Sequence, residues 1–202
     1  MSSGPRRRLT HMIDLRPAAQ RTIGLVASVA EGQLDGPTPC PGMCVGDLID
    51  HIGVFAVRFV EAAHKNTGDR TSPPPPPDVA NLEAGWRERI ARDLLGLADA
   101  WGDPSAWTGA THAGGIRLPG EVVGLVALDE LVVHGWDLAV ATDQPYAPSA
   151  AEIEAARAFV ASFDAPRDGQ LFGPVVAVAA DAPALDRLLG LTGRDPSWQP
   201  PG

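Results

Sequence analysis

Between Gly120 and Thr142 the chain is dominated by Val, Leu, Ala and Gly, yet Asp129, Glu130, His134 and Asp137 interrupt the run. A charge buried without a partner costs several kcal/mol or is neutralised, so each of these four side chains needs a partner. Glu130 and His134 are four residues apart. On a helix that spacing puts them about 6 Å apart along the axis and on one face. A carboxylate and an imidazole so placed can grip one divalent cation; the same spacing also suits a plain i,i+4 pair. His51 offers a third donor. It falls on the apolar stripe of Leu48, Ile52, Phe55 and Phe59, where a histidine is either a hydrogen-bonded core residue or a ligand aimed into the core. Two histidines and one carboxylate leave coordination positions open, as catalytic metal sites require. The candidate ligands are therefore His51, Glu130 and His134. Asp47 and Asp137 are candidates to accept a hydrogen bond from a ligating imidazole, with helix capping or a salt bridge as their competing roles.

Positioning these side chains takes helices. Apolar residues at three- and four-residue spacing predict helices over 14–31, 45–65, 79–100, 120–142 and 149–163. The fourth is apolar around nearly its whole circumference, which predicts burial on all sides. A turn-rich stretch, Asp35-Gly36-Pro37-Thr38-Pro39-Cys40-Pro41-Gly42, separates the first two. Pro73–Pro77 is a stiff, extended run that reads as a connection inside one bundle. The Gly-rich stretch from Gly102 to Pro119 suits a strand or hairpin, and the chain closes with an extended segment and a short helix over 183–191. The expectation is an all-α fold, a four-helix bundle with a C-terminal appendage. Residues 1–12 read as a disordered tail and 13–198 as a single domain.

The 202 residues are 45% hydrophobic, enough for a core. A formal charge of -9 and a single lysine, Lys65, leave little to neutralise phosphates, so nucleic acid is not an expected partner. The exception, Arg6-Arg7-Arg8, lies in the tail. No apolar run approaches the ~20 residues that cross a bilayer, and no apolar stretch follows the N-terminal charges. These features predict a cytoplasmic protein without a membrane partner, monomeric or homodimeric. Cys40 and Cys44 are too close in sequence to make a useful staple. Cys44 starts about 10 Å along the axis from His51 and Cys40 stands further out in the loop, so neither is expected to be a ligand. Cys44 falls near a helix N-terminus, where a thiolate is stabilised, which leaves a redox role open.

Two motifs bear a resemblance. Pro37-Thr38-Pro39-Cys40 followed by Val45-x-Asp47-Leu48-x-x-His51, and then Glu130-Leu131-Val132-Val133-His134-Gly135-Trp136-Asp137-Leu138-Ala139, resemble the paired signatures of the DinB-like metal-binding family. That family includes mycothiol-dependent maleylpyruvate isomerase and mycothiol S-transferases. The closing Gly193-Arg194-Asp195-Pro196 resembles one actinomycete-type branch, and the likeness spans about Ile13 to Trp198. It implies an up-down four-helix bundle of the DinB/YfiT type whose metal, Zn2+ in most members with Ni2+ or Fe2+ as alternatives, sits on His51, Glu130 and His134. It also implies mycothiol as the thiol cosubstrate and a small electrophile as the second substrate. The isomerase binds its diacid through an arginine of a separate C-terminal domain that this chain is too short to contain in full. Arg167, Arg187 and Arg194 occur near the end, but none sits in a motif that aligns with that substrate-binding arginine.

The leading expectation is thus a divalent-metal-dependent thiol S-transferase or thiol-assisted isomerase. Non-haem iron oxygenases use the same ligand types, though in β-barrels, and a non-catalytic metal-binding domain would keep the ligands and close the site.

Overall fold

The computed structural model describes residues 12–66, 75–162 and 172–201. The Arg6–Arg8 tail, His11, Pro73, Pro74, Phe163 and Arg167 lie outside the described residues. The fold is mainly helical: α1 (Arg16–Ser28), α2 (Val45–Ala63), α3 (Trp86–Trp101), α4 (Gly120–Ala141), α5 (Ala150–Ser162) and α6 (Ala184–Leu191), with one antiparallel hairpin of β1 (Ala110–Ala113) and β2 (Ile116–Pro119).

α2 shows how local sequence makes an element that carries a site. Cys44 is its N-cap. The Cys44 sulfur accepts from the Asp47 amide at 3.4 Å, and the Cys44 amide donates to Asp47 Oδ2 at 3.0 Å, a reciprocal cap. Asp47 Oδ1 also accepts from the Val79 amide at 2.8 Å, so this carboxylate ties the helix start to a neighbouring turn. Leu48, Ile52, Phe55 and Phe59 are buried along one stripe, and full burial of each such side chain stabilises by roughly 1.5–3 kcal/mol.

The third helix starts later than its periodicity predicts. Residues Val79–Asn81 form a separate 3-10 turn in which Asp78 accepts from the Ala80 amide. Gly85, at a φ of 81°, then resets the chain before α3 begins.

α1 packs between α3 and α4, and α2 likewise packs between α3 and α4. The α1–α2 and α3–α4 connections therefore join helices on opposite corners of the bundle, which is why both are long and carry structure of their own. In the second, the Trp107 indole donates to the Trp101 carbonyl at 2.7 Å, and Thr111 donates to the Ala62 carbonyl at 2.7 Å. α5 lies on α4, and α6 lies on α5. α4 is enclosed by α1, α2, α5 and the hairpin, in keeping with its all-round apolar sequence. Among the described residues no helix is long and apolar enough to cross a membrane.

Candidate metal centre

Where α2 faces α4, His51, Glu130 and His134 meet. Glu130 Oε2 lies 3.3 Å from His51 Nε2 and 3.1 Å from His134 Nε2. The two imidazoles stand nearly perpendicular, at 82° with ring centroids 4.9 Å apart. One donor atom from each of the three residues falls within 4.8 Å of the others, close enough to share a cation. Bonds of about 2.0–2.1 Å at a tetrahedral angle set donors about 3.4 Å apart, so the two distances to Glu130 already match such a set. The three side chains are only partly buried: those of His51 and Glu130 remain 27% and 26% exposed, His134 13%. Phe55 borders His51 edge-on, with ring centroids 5.7 Å apart.

Behind His134 the site continues into the protein. Its Nδ1 lies 2.9 Å from Asp137 Oδ2, one turn along α4, and Asp137 is fully buried. That contact holds a proton on Nδ1 and leaves Nε2 as the nitrogen that faces Glu130. Asp137 Oδ2 also accepts from the Cys40 thiol at 3.0 Å, and Cys40 Sγ stands 3.6 Å from His134 Nδ1. Arg194 donates to Asp137 Oδ2 at 3.0 Å and to Oδ1 at 3.4 Å, with a further contact of 3.4 Å to Cys40 Sγ. Cys40, His134 and Asp137 also present donors within 4.8 Å of one another. There the Arg194 guanidinium already supplies the cation, which leaves the His51 side as the better place for a metal.

Cys40 corrects the expectation that it stands out in its loop. Thr38 folds the loop inward: its hydroxyl donates to the Met43 carbonyl at 2.9 Å and accepts from the Cys40 amide at 3.1 Å, and Cys40 ends up buried. It supports His134 from behind, on the ring edge away from the other two donors. Asp47 does not reach the imidazoles with the hydrogen bonds described; its carboxylate serves the helix cap and the Val79 amide, the competing role considered for it. Trp136 is buried.

Electrostatics follow from this packing. Burial works against ionised Glu130, but hydrogen bonds from His134 and His51 and their charges hold its carboxyl well below the usual range. Burial would pull His134 down, yet its bonds to Asp137, Cys40 and Glu130 raise it well above an ordinary histidine. Burial also opposes ionised Asp137, and its His134 bond and the Arg194 charge prevail to keep it low. Without a metal, a proton on His134 thus offsets Glu130, and a divalent cation must displace it on binding. Asp129 differs. It is buried, with Oδ1 lacking a partner among the described residues; burial, then the Glu130 charge, push its carboxyl up to about 8 against the pull of Arg194 and His134.

The family described as the mycothiol maleylpyruvate isomerase N-terminal domain matches residues 15–139. The chain is also 34% identical over 178 residues to the uncharacterized protein MT0763 of Mycobacterium tuberculosis (strain CDC 1551 / Oshkosh), a match covering 84% of this chain and 90% of that protein. The uncharacterized protein Rv0738 of Mycobacterium tuberculosis (strain ATCC 25618 / H37Rv) matches with the same identity and coverage. No solved structure matches the chain.

Proposed function

From the premise that this chain belongs to the mycothiol maleylpyruvate isomerase N-terminal domain family, we propose that it is a divalent-metal-dependent enzyme, an S-transferase or thiol-assisted isomerase. It would join mycothiol, or use it as cosubstrate, with a small electrophile, and zinc is the metal that fits best. The observation that carries this reading is the convergence of His51, Glu130 and His134 from two facing helices, with donor atoms within 4.8 Å and side chains that remain partly exposed.

The donor chemistry fits such an ion. Two neutral imidazole nitrogens and one carboxylate are a borderline-soft set suited to zinc, nickel or iron(II). A bound divalent cation lowers the pKa of a thiol that reaches it and so supplies thiolate at neutral pH. The protein's own contribution is placement. His51 and His134 hold Nε2 toward the shared position, and Glu130 brings the compensating negative charge. Asp137 keeps the proton of His134 on Nδ1 and fixes the ring plane. The partial exposure of His51 and Glu130 would let a thiol and its electrophile approach the three donors. That access favours catalysis over a closed structural site, whose coordination is completed by protein.

The test is spectroscopic. Cobalt(II)-substituted protein, with Cys40 and Cys44 both changed to Ser to remove internal thiols, should gain an intense sulfur-to-metal charge-transfer band on adding mycothiol. The band should form below the free thiol's pKa and be absent with the S-methylated thiol and in His134→Ala. A spectrum insensitive to mycothiol and to other small cellular thiols overturns the thiol-transfer reading while leaving the three donors in place.

A further inference from the structure

We infer that Arg194, which lies beyond the residues matched by the family, is a positioning residue of the centre built by His51, Glu130 and His134. The inference rests on reading those three as one cation site.

Arg194 stands just past the end of α6, which closes at Leu191. Gly193 takes the left-handed φ of 87°, its amide donates to the Gly190 carbonyl at 3.2 Å, and the Arg194 amide donates to the Leu189 carbonyl at 2.9 Å. These two bonds form the paired closure that terminates a helix around glycine. A side chain at position 193 could not share the space, because a Cβ there would stand 2.8 Å from Gly173 Cα. The closure aims Arg194 back into the bundle, and Nη1 is held by the Thr192 carbonyl at 3.1 Å.

The guanidinium then engages both oxygens of Asp137. A planar fork fixes the rotation of a carboxylate in a way a point charge does not. With that rotation fixed, Oδ2 is aimed at His134 Nδ1, and the ring presents Nε2 to Glu130. The sequence of contacts runs from helix closure to arginine, aspartate and imidazole, and so to the nitrogen that would hold a cation. Loss of a partner that orients a ligating histidine weakens metal binding about 10–100-fold, and Arg194 acts one contact further out through the same oxygen.

The experiment measures zinc affinity by chelator competition in the full chain, with folding checked by circular dichroism. Asp137→Asn and Arg194→Gln should each weaken zinc binding at least several-fold, and the double variant should be no weaker than the worse single one. Arg194→Lys, which keeps charge but not the fork, should fall between Arg194→Gln and wild type. The cobalt(II) ligand-field bands of Arg194→Gln should shift as the His134 ring reorients, which a mere loss of stability does not cause. Wild-type affinity in folded Arg194→Gln, or additive losses in the double variant, overturns the inference and reduces Arg194 to an anchor of the C-terminal segment. If Arg194→Gln does not fold, Arg194→Lys decides: wild-type affinity refutes, weaker affinity supports. A wild-type protein that binds no zinc, cobalt or nickel overturns the cation-site reading itself, and this inference with it.

Discussion

Replacing Asp129 by Asn should remove a pH dependence from the stability of the metal-free protein. The carboxyl is buried, its Oδ1 has no partner among the described residues, and it stays protonated up to about pH 8 in the folded chain against an ordinary value of 3.8. Below about pH 4 the group is neutral in both folded and unfolded chains and contributes no pH dependence. Above that, the unfolded chain releases the proton while the folded chain keeps it. Folding must then take up a proton, so stability falls by up to about 1.4 kcal/mol per pH unit. The loss levels off above about pH 8, where the folded chain releases the proton too. By pH 7 it amounts to about 4 kcal/mol. Asparagine has nearly the shape of the protonated acid and does not titrate. Urea unfolding in the presence of a chelator, followed by tryptophan fluorescence at pH 5, 6, 7 and 8, measures the difference. The Asn variant should gain on wild type by about 1 kcal/mol per pH unit across that range. A stability difference independent of pH would refute the reasoning, since it would mean that the buried carboxylate ionises at its ordinary pH.

Changing any one of His51, Glu130 or His134 to Ala should remove most of the bound zinc measured in the purified protein, and His64→Ala and His112→Ala should remove none. Full metal content in Glu130→Ala would break the proposed donor set. Gly124→Ala should destabilise the fold by about 1–3 kcal/mol in urea unfolding. The added methyl would stand 2.6–2.9 Å from the Trp107 and Trp101 rings, and their indole hydrogen bonds limit how far they can yield; an unchanged midpoint would show that they do.

Burial and helical spacing are local properties, and they made much of this protein legible in its sequence. An apolar α4 interrupted by Glu130 and His134 announces a polar cluster inside a core. A histidine on the apolar stripe of α2 supplies a partner for it. A helix's own period suffices for both, because backbone hydrogen bonding sets which side chains share a face. Asp137 was legible for the same reason, lying one turn from His134. Helix limits were less so: Gly85 and the Asp78 turn delay α3 through local hydrogen bonds that compete with the apolar period.

What only the tertiary structure decided is the far side of His134. Cys40 and Arg194 are separated from it by 94 and 60 positions in the chain, and no periodicity relates them. Cys40 arrives because Thr38 folds a proline-rich loop inward, and Arg194 arrives because Gly193 closes α6 and turns the chain back. Loop paths of this kind depend on what they pack against. The sequence shows that a turn is available at each place, but the direction in which it delivers a side chain is settled by the bundle that receives it. Asp47 makes the same point in reverse. Its spacing from His51 allows a place near the imidazole, yet the Cys44 and Val79 amides claim its oxygens, because helix starts leave unpaired N–H groups that a nearby carboxylate satisfies first.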